Sequence, residues 1–475
     1  MNEQVNGEKT SGTRREFLKT SALVAAGTVL ASSLPTLPRA YAGGTDTIKA
    51  CLIGCGGRGS GAAEDALKGA ATAGAGSVKF VAVADAFEGN AKGAAANLNK
   101  KGKELADIPP EKIFVGLDAY QKAIDSGVDM VVTAAAPGFR AQHFEAPIHA
   151  GKHIFMEKPV CTDAPTFRKV MAAAKMADEK KLKVGVGLQR HHESGYQGGI
   201  QAIADGKFGD ISLVRVYWNG GGIWNRPRAA GMTEMQFQVH NWYHFCWASG
   251  DHICEQHVHN LDIGNWVMSA ALKKTGAEWA HPVRAQGIGT CWHRGYGDFI
   301  RTMPGKNQGQ IWDAHMIEYT FENGIKMLSQ CKHHPGNVYG GVFEEFHSTT
   351  SPDGKPNLGG RAVSGAAPGP KMALGAYQQE HMDLQKAIRD DTPYNEAYYG
   401  AISSFTAVFG RMATYSGAEL KWDEAVQKGP DLFPQTLAWD AEAPVMPDKD
   451  GNYPIPVPGV FKPWPDFGSG GKKKK

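Results

Sequence analysis

The sequence predicts a two-domain α/β protein whose first half is a doubly wound parallel sheet. Three observations carry this reading. Short β-rich runs and helical stretches alternate from Ile48 to Val186, the pattern of strand–helix–strand units. A glycine-rich turn joins the first run to the first helical stretch. At 475 residues, 42% hydrophobic and 21% charged, the chain is too long for one small module and too apolar for a disordered one.

The elements follow in order. Arg14-Arg15 precedes an apolar run from Ala22 to Leu34, and Ala40-Tyr41-Ala42 supplies small residues at a cleavage site. Residues 1–42 therefore read as a twin-arginine signal, and the mature chain is expected in the periplasm. The run is too short and too rich in Ala, Gly and Ser to span a bilayer, so no membrane association is expected. The formal charge of +3 comes from the two ends: without residues 1–42 and the final four Lys, 42 Lys and Arg face 45 Asp and Glu. Such a body has no electrostatic footprint for nucleic acid. Seven Cys without a Cys-x-x-Cys pair argue against a disulfide framework or zinc ribbon.

Residues 46–187 are expected to bind a dinucleotide. Strand Ile48–Ile53 leads into Gly54-Cys55-Gly56-Gly57-Arg58-Gly59 and helix Ser60–Lys68. Gly54, Gly56 and Gly59 allow a tight turn, close approach to a pyrophosphate and close helix–strand packing, and Gly57 and Arg58 belong to the same turn. A second strand, Val78 to Ala84, ends in Asp85, placed to accept from both ribose hydroxyls. Its charge would repel a 2′-phosphate, which favours NAD; Arg58, able to reach a pyrophosphate or a 2′-phosphate, argues the other way. Strands Met130–Ala134, His153–Met156 and Leu182–Val186 alternate with helices Ala141–Ala150 and Asp163–Glu179.

At Glu157-Lys158-Pro159, after Ala150-Gly151-Lys152-His153, the sequence resembles the Gfo/Idh/MocA family of sugar oxidoreductases. The glycine turn, Ala135-Ala136-Pro137, His143 and Gly206-Lys207-Phe208-Gly209-Asp210-Ile211 agree with it, over roughly residues 46–425. The likeness extends to the exported branch of glucose–fructose oxidoreductases and periplasmic glycoside 3-dehydrogenases. It implies an N-terminal Rossmann domain and, over residues 188–425, a C-terminal α/β domain on a large, mostly antiparallel sheet that assembles into a homo-oligomer. Substrate would lie between the domains. It further implies NAD as cofactor, contacts from Ala136, Pro137, His143 and Glu157, and a Lys158 that points at the nicotinamide and hydrogen-bonds the reacting hydroxyl.

Glu255, His259 and Asp262 fall at i, i+4 and i+7, one face of a continuous helix. The family has Asp where this chain has Glu255, so the resemblance makes His259 the general base, near its unperturbed pKa, and Glu255 its partner. His252, Glu255 and His259 also share a face, a spacing compatible with a metal or with a structural histidine cluster. The catalytic reading is preferred and no metal centre is expected. Gln189, Arg190, Trp224, Arg226, Asn241, Trp242 and His257 are the substrate candidates, Trp faces for sugar C–H groups and amides and guanidinium for hydroxyls. Residues 351–370 read as a long loop, and 426–475 as a Pro-rich wrapping tail with a Lys-rich end.

The function expected is NAD-dependent oxidation of a secondary hydroxyl, at C3, of a sugar or glycoside. A redox-neutral NAD-dependent glycoside hydrolase and a non-catalytic sugar-binding protein are the alternatives.

Overall fold

The computed structural model describes residues 47–72, 77–291, 309–334, 338–357 and 359–468, all within one compact unit; the segment expected to be a signal and the Lys-rich end fall outside them. Ile48–Ile53 (β1) is buried at every position but Lys49, as a central strand covered on both faces must be. Val78–Asp85 (β2) and Ile113–Val115 (β3) lie to one side of it. Met130–Thr133 (β4), His153–Met156 (β5) and Val184–Val186 (β6) lie to the other. The six strands are ordered β3-β2-β1-β4-β5-β6 and every pair is parallel. Strand order reverses between β1 and β4, and that reversal opens a crevice at the strands' carboxyl ends.

The crossover helices are Gly57–Thr72 (α1), Glu88–Asn99 (α2), Ala119–Ile124 (α3), Arg140–His149 (α4) and Ala164–Glu179 (α5). Neither β3 nor α2 was expected from the sequence. α2 buries Ala91, Ala94, Ala95 and Leu98, a face of small residues that gives little hydrophobic signal. α5 begins where Asp163 caps it: Oδ1 accepts from Thr166 N at 2.8 Å, and Thr166 Oγ1 accepts from Asp163 N at 3.2 Å. Asp163 Oδ2 accepts from Leu432 N at 2.9 Å, which ties the start of the C-terminal tail to this helix.

The second half carries a seven-stranded sheet. Its strands are Ile211–Gly220 (β7), Arg284–Thr290 (β8), Ala314–Thr320 (β9), Lys326–His333 (β10), Gly341–Ser348 (β11), Gly360–Ala362 (β12) and Leu420–Lys421 (β13), ordered β12-β11-β7-β10-β9-β8-β13. Only β7 and β10 pair in parallel. β10 alternates strictly, burying Met327, Ser329, Cys331 and His333, the pattern of a sheet with one covered face.

The helices of this half are Ser194–Ala204 (α6), Glu234–His240 (α7), Cys246–Ser249 (α8), His252–Glu255 (α9), Val258–Leu272 (α10), Ala376–Asp390 (α11), Ala397–Ser416 (α12) and Trp422–Lys428 (α13). α10 and α12 cover the buried face, where Leu261, Val267, Phe405 and Phe409 join Val214, Ile317 and Met327 in one core. α11 instead returns to the first half and packs Leu384 and Ile388 against Ala62 and Ala66 of α1.

Two expectations are corrected. Glu255, His259 and Asp262 do not share one helix, because α9 ends at Glu255 and α10 starts at Val258. The stretch 351–370 is not all loop: Gly360–Ala362 pairs with β11 as an edge strand. The tail forms no helix or strand among its described residues past Lys428, yet it buries Tyr453 and sets Trp439 against Phe87, ring centroids 5.6 Å apart. No helix among the described residues is long and apolar enough to cross a membrane.

Because Asp163 serves both the helix cap and the tail, Asp163→Ala should lower unfolding free energy by about 1–2 kcal/mol. Denaturant titration reads this, and an unchanged midpoint would show that neither bond contributes.

Candidate active site

At the crevice, three stretches of backbone meet. Gly54 has φ +83, and a Cβ there would fall 2.3 Å from Ala135 N; a Cβ on Gly59 would fall 1.8 Å from Gly54 O. Gly56 and Gly57 face open space, with nothing within 4 Å of an added Cβ. Two of these glycines thus let the chain close on itself, and the other two leave a vacant wall at the amino end of α1, where the helix dipole favours an anion. Asp85 closes the turn from the other side. Its carboxylate accepts from Cys55 N at 2.7 Å, Phe87 N at 2.8 Å and Asn90 Nδ2 at 3.2 Å.

Gly54, Gly56, Gly57 and Asp85 line a cavity of about 400 Å³ together with Ala134, Ala135, Ala136, Tyr120, Phe139 and His143, whereas Arg58, Gly59, Glu157 and Lys158 are outside its lining. Tyr120 lies 4.5 Å from the His143 ring, and burial foremost, then Arg140, pushes the His143 pKa down to about 3. His143 is therefore a neutral wall. Pro137 is buried in a one-turn helix behind the wall and does not line the cavity, contrary to the sequence reading. Arg226, His240 and Trp242 reach in from the second half, a contribution from residues far along the chain.

Arg58 does not face the ribose-side acid. Its Nε donates to Glu157 Oε1 at 2.6 Å and Nη2 to Asp65 Oδ2 at 3.2 Å. The pair ties the glycine turn to the Glu157-Lys158-Pro159 segment, in which the Lys158–Pro159 peptide is cis. Lys158 crosses to the second half, where its Nζ donates to the carbonyl of Glu255 and sits 3.4 Å from Glu255 Oε1. Glu255 therefore positions the lysine rather than the histidine. Tyr243 stands beside it: burial first, then the Glu255 carboxylate, holds this phenol well above its ordinary range. The sequence offered only an aromatic run as a signal for Tyr243.

His259 lies in the first turn of α10, stacked on Trp218 with ring centroids 6.0 Å apart, and its Nδ1 is buried without a partner. Its pKa is not near the ordinary value. Burial foremost, then Lys158, Arg190 and Arg58, holds it well below 6.5, so the ring is neutral. Asp262, expected on the same face, turns to His191 Nε2 at 2.8 Å and Ser403 Oγ at 2.8 Å. His252 leaves the site as well and lies against His315 and His333, so His252, Glu255 and His259 are not assembled as one set.

The substrate candidates divide. Gln189 presents a buried Oε1 without a partner. Trp224 is 38% exposed, with Arg226 over its ring at 4.2 Å and Trp242 edge-on at 5.7 Å. Arg190 is taken up by Glu344 of β11. Asn241 is fully buried and clamps the backbone of Arg226 through both ends of its amide, at 2.8 and 2.9 Å. His257 is fully buried in the helix break, where its Nε2 pairs with Ser329 Oγ at 2.8 Å. Asn241 and His257 are structural, which corrects their assignment to substrate.

A glycine turn at a topological switch point, an acid at the end of the second strand and a helix amino terminus facing a cavity define a dinucleotide-binding α/β protein. Residues 48–188 match the Gfo/Idh/MocA model, described as an oxidoreductase family with an NAD-binding Rossmann fold. Over residues 48–188 the chain thus carries the NAD-binding domain of the Gfo/Idh/MocA type.

An inositol 2-dehydrogenase of Rhizobium meliloti is 32% identical over 146 residues, 31% of this chain and 39% of that protein. The chain spans little more than a third of the length of the first curated relatives it matches. The fold recurs in a putative myo-inositol dehydrogenase from Sinorhizobium meliloti, at TM-score 0.52 and 18% identity over 79% of this chain and 99% of that one. It recurs also in an aldose-aldose oxidoreductase from Caulobacter crescentus, at TM-score 0.55 and 14% identity over 79% of this chain and 100% of that one.

The buried histidines set the pH response. His143, His257 and His381 are held down to about 3 and His153 to about 4, each chiefly by burial. In the unfolded chain they titrate near 6.5, so below that pH the unfolded state takes up protons that the native state refuses. Each group should cost up to about 1.4 kcal/mol per pH unit as pH falls from about 6.5 toward 4. His192 acts oppositely: burial disfavours its charge, but Glu396 foremost, with Asp383, holds its pKa up to about 10. Its contribution is full below 6.5 and is lost as pH rises through 10. Urea midpoints should fall steeply from pH 6.5 to 4, and a flat acid limb would contradict the burial of these rings.

Proposed function

We propose that this protein is an NAD-dependent dehydrogenase that oxidises a secondary ring hydroxyl, at C3, of a sugar or glycoside. One observation carries the reading: the Lys158 charge bears on His259, whose Nδ1 is buried without a partner, and the Arg58–Glu157 pair joins the Lys158 segment to the glycine turn. The residues of the crevice fit the cofactor. Gly56 and Gly57 leave room for the pyrophosphate, Asp85 meets the ribose, and the turning of Arg58 toward Glu157 removes the one argument for a 2′-phosphate. NAD, when bound, supplies the hydride acceptor.

The chain's own groups do the rest. Lys158, aimed by Glu255, hydrogen-bonds the reacting hydroxyl oxygen and offsets negative charge developing there. His259, neutral through the physiological range, accepts the hydroxyl proton at Nδ1. Trp224 and Trp242 offer faces to the ring. The relatives' names, inositol 2-dehydrogenase and aldose-aldose oxidoreductase, agree with a polyhydroxylated substrate. Arg226, His240 and Trp242 line the same cavity as Asp85 and would add contacts to a bound cofactor. Lys158→Ala and His259→Ala should each lower turnover by about 10²-fold or more while bound NAD is kept. Mass spectrometry of products from a glycoside panel should show the 3-keto compound; wild-type turnover in either variant would overturn the assignment.

Export by the twin-arginine route belongs to the same proposal, resting on Arg14-Arg15 and Ala40-Tyr41-Ala42. Replacing both arginines by Lys should strand the precursor in the cytoplasm. Undiminished periplasmic yield would rule the route out.

A further inference from the structure

Behind the Lys158–Glu255 contact lies a second polar cluster that this chemistry does not use. Asp251 joins α8 to α9 at φ +76, a conformation L residues rarely adopt, and points a fully buried carboxylate into the core. Its Oδ1 accepts from His252 N at 2.5 Å. Its Oδ2 accepts from Trp312 N at 3.1 Å and from the Tyr415 hydroxyl at 2.5 Å. His315 approaches from β9, with Nε2 3.3 Å from Asp251 Oδ2 and Nδ1 2.8 Å from Thr414 Oγ1. The His252 ring sets Nδ1 3.1 Å from Asp251 Oδ1 and 3.2 Å from the Trp312 carbonyl, while its Nε2 is buried without a partner.

One donor atom from each of Asp251, His252 and His315 lies within 4.8 Å of the others, and all three residues are at most 1% exposed. A buried carboxylate calls for a compensating cation. Arg411, buried nearby, spends its guanidinium on the carbonyls of Gly250 at 2.8 Å and Thr162 at 3.0 Å instead. Two imidazoles and one carboxylate make a donor set suited to late first-row divalent ions.

We propose that Asp251, His252 and His315 bind one such cation, zinc by the chemistry of the set. This departs from the sequence reading, which expected no metal and would have drawn on His259 had there been one. The proposal does not rest on the dehydrogenase reading, and it leaves Lys158, Glu255 and His259 free for their own roles. The ion would join the start of α9 to β9. His252 in turn packs edge-on against His333, ring centroids 4.8 Å apart, and His333 Nε2 meets the Tyr243 hydroxyl at 2.8 Å beside Glu255. The site is thus a positioning device for the segment that aims Lys158.

The test is zinc binding by the full-length protein. Elemental analysis after dialysis against zinc and desalting, with competition by a chromophoric chelator, should give one zinc per chain. His252→Gln and His315→Ala should each weaken binding at least tenfold, and His259→Ala should keep it. Removing the ion with a chelator should lower the wild-type Tm, and added zinc should restore it, a measurement that needs no variant to fold. Wild type without zinc and with a chelator-independent Tm would overturn the proposal. So would wild-type affinity in His252→Gln, which would place the zinc on surface histidines.

Discussion

The arrangement depends on a backbone contact with no room for one added carbon. Gly59 presses on the carbonyl of Gly54, and Gly54 presses on Ala135 of the neighbouring crossover. This draws α1 against β1 and β4 together at the point where strand order reverses, and it leaves Gly56 and Gly57 bare on the side facing the cavity. Asp85 then satisfies the amides of Cys55 and Phe87, which a tight turn would otherwise leave open. One steric constraint therefore fixes the shape of the cavity, the direction of the α1 amino end and the position of the acid.

From that contact the organisation runs outward through charge pairs. Arg58 leaves the glycine turn for Glu157, and Lys158, the next residue, crosses to Glu255 at the end of α9. Glu255 can be met there only because α9 stops. A continuous helix would carry the peptide on past Glu255, whereas the break buries His257 against Ser329 of β10 and restarts at Val258 with His259 in its first turn. The tail adds a further tie, since Trp439 and His240 both pack on Phe87, two residues beyond Asp85. Residues over 350 positions apart thus meet at Phe87, which lines the cavity.

What the sequence made legible follows from this physics. Local steric demands were readable: glycines where a Cβ cannot fit, an acid ending a buried strand, and a Pro after the lysine at a strand's carboxyl end. Demands set by distant partners were not readable. Nothing near Arg190 announces Glu344, nothing near Asp262 announces His191, and the amide of Asn241 looks the same whether it meets a sugar or clamps the backbone of Arg226. The helix break after Glu255 carries no Gly or Pro, and His257 within it is buried against Ser329 of β10, so helical periodicity predicted one face where there are two separate helices.

The same environment settles how proton and charge divide between His259 and Lys158. His259 is buried among the positive charges of Lys158, Arg190 and Arg58, so protonating it would add a further cation to a poorly solvated cluster. Glu344 offsets Arg190, and Glu157 with Asp65 offsets Arg58. Lys158 pairs with the Glu255 carboxylate at 3.4 Å, a longer contact than those of Arg58 or Arg190 with their acids, and donates to the Glu255 carbonyl as well. The least compensated charge in that cluster is therefore the lysine's, the one that would meet an oxygen gaining electron density. A neutral ring beside an incompletely paired ammonium suits withdrawal of a proton from a hydroxyl. Once protonated, that ring is under electrostatic pressure to release its proton, which returns the site to the state from which it began.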